Sequence, residues 1–191
     1  MVGNISNYTK ADVLRCFFLI SEKISREELV KRLDIGEGTV RTLLNILKKK
    51  KLVFSTKKGH SLTKKGEELM KKINEAISLP LELKTNKLFP QYKKAAVLVK
   101  KHKKMRSYVK LRDVAIKNGA EGALLLVYEN GLKIPDFKCD DSFDYAEDLF
   151  QYKNGDLLII TFGNSLRWCE VAGISVALNL IRASLFFSNV F

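Results

Sequence analysis

The sequence predicts an α+β protein in two parts, a mainly helical N-terminal part and a two-layer α+β part with a mainly antiparallel sheet. Three observations predict it. Residues 9–50 carry apolar positions at helical spacing in three capped segments, residues 52–62 hold two short β-prone runs around a Gly-containing turn, and the chain after residue 91 alternates β-like with helical runs. Apolar residues make up 46% of the 191 and charged residues 29%, enough to bury a core and too apolar for a disordered chain. The composition places the domains at 1–78 and 91–191, joined by a linker at 79–90 that holds two of the three prolines.

The N-terminal elements follow in order. Thr9 with Asp12 reads as a capping box, and Val13, Leu14, Phe17, Phe18 and Ile20 form an apolar stripe to about Lys23. Ser25 and Glu28 form the next capping box and open a short second helix with Leu29, Val30 and Leu33 inward, which stops at Asp34-Ile35-Gly36-Glu37-Gly38, where two glycines permit a sharp turn. A third helix from about Gly38 to Lys50 puts Val40, Leu43, Leu44 and Leu47 on one buried face. Its other face carries Thr39, Arg41, Thr42, Asn45, Lys48 and Lys49, hydrogen-bonding side chains near the start and cations near the end. Leu52-Val53-Phe54 and Ser61-Leu62 can then pair around a turn from Thr56 to His60, and Thr63 caps a fourth helix with Leu69, Ile73, Ala76 and Ile77 inward.

This order, with the phrases SREELVKRLDIGEGTVRTLLNILKKKKLV and KKGHSLTKKGEELM, resembles the winged helix-turn-helix of prokaryotic transcription regulators. The resemblance implies double-stranded DNA as partner, with the third helix in a major groove and the hairpin, or wing, on the backbone. The DNA-binding residues expected are Thr39, Arg41, Thr42, Asn45, Lys48, Lys49, Lys57, Lys58 and His60. A solvated helix end explains the run Lys48 to Lys51 by itself, since cations suit the helix dipole; it leaves Lys57, Lys58, Lys64 and Lys65 unexplained. Winged helices also serve as protein-protein modules.

In the second part, Ala95 to Val99 is a β-like run and Val109 to Ala115 a helix closed by Asn118-Gly119. Ala123 to Tyr128 is a buried strand that turns at Asn130-Gly131 into Leu132 to Ile134. Ser142 caps a helix with Phe143, Ala146, Leu149 and Phe150; Asn154-Gly155 leads to a strand from Leu157 to Phe162, and Gly163-Asn164-Ser165 opens a long helix to about Ala183. Leu81 and Leu83 in the linker also fit a short edge strand. Read with the N-terminal part, the phrases LRDVAIKNGAEGALLLVYENGLKIP and GDLLIITFG resemble an uncharacterised archaeal two-domain family. Its second domain is likened to the GAD insertion domain of aspartyl-tRNA synthetases, which implies a two-layer α+β fold and a role near regulation or translation.

A small-molecule effector site is the second expectation, at Arg112, Asp113 and Glu121 beside a strand start and at Asn164 and Ser165 on a strand-to-helix junction. A helix C-cap, a surface ion pair and ordinary N-capping explain the same residues. The nearly apolar final helix and the tail Leu185 to Phe191 suggest burial in a homodimer.

The net charge is +13, and its distribution matters more than its sum. Residues 1–78 carry 17 basic and 9 acidic side chains, residues 84–117 carry 12 and 1, and residues 118–191 carry 5 and 10. The basic band Lys93 to Lys117 therefore supports an alternative function, an RNA-associated or translation-linked protein. Three cysteines, Cys16, Cys139 and Cys169, lack disulfide or zinc spacing, and no apolar run is long enough for a membrane, so a cytoplasmic protein is expected. With His60 and His102 as the only histidines and no phosphate-loop or nucleophile motif, neither catalysis nor a cofactor is expected. The acidic group Asp136, Asp140, Asp141, Asp144, Glu147 and Asp148 fits no calcium loop and reads as a helix start, so no metal is expected.

Overall fold

The computed structural model describes residues 8–102, 105, 107–135, 137 and 142–181. The chain divides into two compact units between Lys72 and Ile73.

The first unit opens with α1 (Lys10–Ile20), α2 (Arg26–Leu33) and α3 (Glu37–Lys49). Thr9 closes the expected capping box: its hydroxyl accepts the Asp12 amide while the Asp12 carboxylate accepts from Thr9. Asp12 also holds Arg15 at 3.1 Å, and both side chains are buried. Arg15 was hidden in the apolar stripe by sequence. Its guanidinium donates at 3.1 Å to the carbonyl of Leu33, the last residue of α2, and so ties α1 to the point where the chain turns toward α3.

That turn does not use its glycines as expected. Asp34 takes the left-handed conformation (φ 54°), a role its short polar side chain tolerates. Gly36 is the N-cap of α3 and Gly38 lies inside the helix. Burial of Val40, Leu43, Leu44 and Leu47 matches the expected face of α3, each apolar side chain contributing about 1.5–3 kcal/mol.

β1 (Val53–Thr56) and β2 (Gly59–Leu62) form the hairpin, antiparallel with Thr56 opposite Gly59. The turn is therefore Lys57-Lys58 alone, shorter than expected, and His60 belongs to a strand. The reason is a third partner: Ile24 and His60 exchange two backbone hydrogen bonds, of 3.2 and 2.8 Å, drawing His60 into the sheet. Gly59 permits this with φ +121°; a Cβ there would sit 2.7 Å from the Ile24 carbonyl oxygen. α4 (Lys64–Ala76) follows, with Thr63 accepting the Gly66 amide and Gly66 packed so closely on the Leu52 carbonyl that no Cβ fits.

The second unit is built on a five-stranded, wholly antiparallel sheet in the order β3-β4-β7-β5-β6, from β3 (Leu81–Glu82), β4 (Lys93–Val99), β5 (Gly122–Tyr128), β6 (Leu132–Lys133) and β7 (Leu157–Gly163). Leu81 and Glu82 thus take the edge-strand option, and the segment expected as linker joins the sheet. The last residues of α4 join this unit too: Lys100 donates to the Ala76 carbonyl and Ser78 to that of Leu98.

α5 (Val109–Lys117) packs on β5 and on α7 (Leu166–Ile181), and α7 covers β4 and β7. Gly173 permits the close approach, since its Cβ position lies 3.1 Å from Val97. The buried Thr161 hydroxyl donates to the Cys169 carbonyl at 2.7 Å, pinning α7 to the central strand. The opposite face has its own core: Ala96, Leu98, Leu126, Leu158 and Ile160 meet Leu83, Leu132, Phe143 and Ala146. Strands β4 and β7 are covered on both sides, which is why they read as unbroken apolar runs.

The helix expected after Ser142 is one turn only, α6 (Asp144–Glu147). The Ala146 carbonyl accepts both the Leu149 amide, at 3.3 Å, and the Tyr152 hydroxyl, at 2.6 Å. Residues 182–183 of the expected final helix, and the apolar tail, lie outside the described residues. Among those described, no helix is long and apolar enough to cross a membrane.

Arg15→Ala leaves the Asp12 carboxylate and the Leu33 carbonyl buried without this partner and is expected to destabilise the protein by about 3–5 kcal/mol. Urea unfolding followed by circular dichroism measures it. A loss below about 1 kcal/mol would mean the bridge is not structural.

Candidate nucleic-acid interface

The groove-reading residues proposed from sequence occupy the solvent side of α3. Arg41, Thr42, Asn45, Lys48 and Lys49 are exposed and Thr39 is half-buried. The Thr42 hydroxyl returns to the Gly38 carbonyl at 3.1 Å. Arg41 contacts Glu37 at 3.3 Å, and Arg26 of α2 reaches the same Glu37 oxygen at 3.5 Å. All three of these side chains are about half or more exposed, so the pairs are worth roughly 0.2–1 kcal/mol and exchange readily for another anion.

The hairpin divides its cations by depth. Lys57 and Lys58 are exposed at its tip, where the Thr56 hydroxyl accepts the Lys58 amide at 3.1 Å. His60 lies at its base, half-buried, its Nδ1 2.7 Å from the Ser55 hydroxyl. Desolvation lowers the His60 pKa below its ordinary 6.5, and the positive charges of Lys48 and Arg26 lower it further. Cations from α2 and α3 therefore converge on His60 at the base of the hairpin. Arg26 carries no signal in the sequence, because only the long-range Ile24–His60 pairing brings the start of α2 to the hairpin.

Other lysines have structural partners. The Lys65 ammonium donates to the Lys50 carbonyl at the end of α3, the Thr63 hydroxyl donates to that of Lys51, and Lys51 itself takes the left-handed position (φ 58°) that stops the helix. Lys65 was counted from sequence among the charges that only a polyanion explains; a helix C-terminus explains it here. The band Lys93 to Lys117 is similarly divided. Lys94 is buried, donating to the carbonyls of Phe89 and Tyr92 at 3.1 and 2.8 Å, and Lys100 donates to that of Asn74 at 2.7 Å. Lys93, Lys101, Lys110, Arg112 and Lys117 are exposed, while Lys103, Lys104 and Arg106 lie outside the described residues.

Of the two places expected to hold an effector, Glu121 of the first meets Asn164 of the second. Asn164 donates to Glu121 at 3.3 Å, and Ser165 supplies the carbonyl that the Cys169 amide uses in the first turn of α7. Arg112 and Asp113 are consecutive exposed residues of α5, where sequence neighbours do not face one another. Of the acidic group, Asp136, Asp140 and Asp141 lie outside the described residues, and Asp144 holds Lys87 at 2.7 Å. Burial pushes the Cys16 thiol up to about 12 and that of Cys169 to about 11, so both stay protonated near neutral pH.

Stability should fall in mild acid. His60 and His102 both have folded-state pKa values depressed, chiefly by burial, so the unfolded chain takes up protons first. Their contribution is complete above about pH 6.5 and is lost as pH falls through the lowered values. Urea midpoints at pH 7.5 and 5.5 test this, and His60→Gln should remove part of the difference; an unchanged difference would show that His60 does not carry it.

The chain matches the family model described as PH0730-like, N-terminal domain, over residues 9–68, and the Domain of unknown function (DUF4443) over residues 90–180. Hypothetical protein PH0730 from Pyrococcus horikoshii OT3 has a similar structure, with a TM-score of 0.82 and 31% sequence identity over 97% of this chain and 100% of that one. No protein of curated function matches. The resemblance to an archaeal two-domain family read from the second-domain phrases is met by both halves of the match, and the chain belongs to the PH0730-like family of two-domain proteins.

Proposed function

We propose that the chain is a cytoplasmic, DNA-binding transcription regulator whose first unit is a winged helix-turn-helix and whose second unit joins two copies. One observation carries the reading. The apolar face of α3 is wholly occupied by the core, its opposite face presents Arg41, Thr42, Asn45, Lys48 and Lys49 to solvent, and the hairpin touching α3 adds Lys57 and Lys58 at its tip. A rigid helix with hydrogen-bonding side chains toward its start and cations toward its end suits base edges flanked by phosphates. The approach of Arg26 and Lys48 to His60 supports it, because two like charges brought near one point are stabilised by an anion between them. The second unit offers no comparable reason for a reaction: its Cys169 stays protonated, and Glu121 and Asn164 are engaged with each other.

The first test is binding of the full chain to a random duplex library and to structured RNA across a salt series. Salt-sensitive duplex binding from which a preferred sequence can be selected supports the regulator. Preference for RNA would move the function to the exposed cations between Lys93 and Lys117, and binding to neither would leave the winged helix as a protein-interaction module.

Given duplex binding, Arg41→Ala and Asn45→Ala should each reduce discrimination by about 1–3 kcal/mol at one base position. Lys57→Ala should weaken all duplexes alike and reduce the salt slope by about 0.9. Electrophoretic or anisotropy titrations on the selected and a scrambled site measure both. An equal loss on every sequence from all three variants would refute this division of roles.

A further inference from the structure

The exposed face of α5 has a pattern that its own core does not explain. Leu111 and Ala115 are buried, which turns Val109, Arg112, Asp113 and Ile116 outward. These four positions, spaced i, i+3, i+4 and i+7, form one stripe along the helix. Its ends are apolar and strongly exposed, Val109 at 66% and Ile116 at 45%. Its middle is a cation beside an anion, and among the described residues neither has an ion-pair partner.

The apolar surface continues past the helix end. Gly119, at φ +95°, lies under the Trp168 ring of α7, whose carbons come within 3.0 Å of where a Cβ would be. Trp168 is itself 39% exposed, with the Arg167 guanidinium 4.6 Å from its ring centre. Three of the six large apolar residues exposed among the described residues thus lie on this one face, Val109, Ile116 and Trp168, so the patch is not the scatter of single residues found on any surface.

We infer that this face of α5 and α7 is the surface on which two copies of the chain associate, with Arg112 of each copy paired to Asp113 of the other. The argument is self-complementarity. An isologous contact sets the same patch against itself, so each feature must accept its own kind or its own complement. Apolar ends meet apolar ends, and a cation and an anion midway along the stripe supply a reciprocal pair of ion pairs. A partner of other chemistry would have to match a neutral, symmetric stripe in a strongly basic protein, whereas a second copy matches it by construction.

A nine-residue helix is only about 13 Å long, so the contact stands at the small end of specific interfaces and the dimer dissociates on dilution. The inference rests on the proposed reading that the second unit joins two copies and not on nucleic-acid binding, since association is measured without DNA or RNA.

Sedimentation equilibrium of the full chain tests it. The unsubstituted protein should show a concentration-dependent monomer–dimer equilibrium. Arg112→Asp alone or Asp113→Arg alone brings four like charges together and should weaken association by at least about tenfold. The double exchange Arg112→Asp with Asp113→Arg regenerates complementary charges and should restore the dimer to within a few-fold, which a merely misfolded variant would not do. Lys110→Glu, on the flank of the stripe, should change little. A chain monomeric at every concentration overturns the inference, as does a dimer indifferent to both single charge changes.

Discussion

Backbone polar groups turned inward must find partners, and in this protein charged side chains meet much of that demand. Arg15 takes the last carbonyl of α2, and Lys94 takes two carbonyls of the loop leading into β4. Asp156, buried in the turn before β7, accepts the amides of Lys101 and Lys153. An unsatisfied buried group costs about 1–3 kcal/mol, so these contacts decide where helices stop and where strands begin. Arg15 and Lys94 are thereby buried, and the electrostatics seen by a partner are those of the cations left exposed.

The first unit shows the consequence. Arg15 fixes the end of α2, the chain turns at Asp34, and α3 starts at a point set by α1. The Ile24–His60 pairing fixes the base of the hairpin against the start of α2, with Gly59 as the one residue type that fits against the Ile24 carbonyl. The exposed polar side chains of α3 and the cations of the hairpin are thereby carried on elements held by buried contacts. Their own surface ion pairs, such as Arg41 with Glu37, are weak enough to yield to a ligand. In the second unit the same economy of partners leaves Arg112 and Asp113 on the outer side of α5, where the core asks nothing of them.

Much of this was legible in sequence wherever a local rule governs. Helical periodicity placed the buried face of α3, capping chemistry placed Thr9, Ser25 and Thr63 at helix starts, and Asn-Gly marked the turn between β5 and β6. Where long-range contacts compete with local preference the reading failed. Two glycines seemed to make the turn after α2, but Asp34 made it; His60 seemed to sit in a loop, but Ile24 drew it into a strand. The helix expected to carry Leu149 and Phe150 ends at Glu147, and the Ala146 carbonyl is shared between the Leu149 amide and the Tyr152 hydroxyl.

The sequence by itself determined the α+β class, the order of nearly all elements and the apolar faces, because periodicity and capping act within a few residues of the chain. Tertiary structure decided which charges are free. Lys57 and Lys65 are alike in sequence, each in a lysine pair beside a glycine, and both are exposed, yet Lys57 stands at a hairpin tip while Lys65 donates to the Lys50 carbonyl at the end of α3. A side chain's electrostatic availability depends on which backbone oxygen folding brings within its reach, and that contact joins residues far apart in the chain.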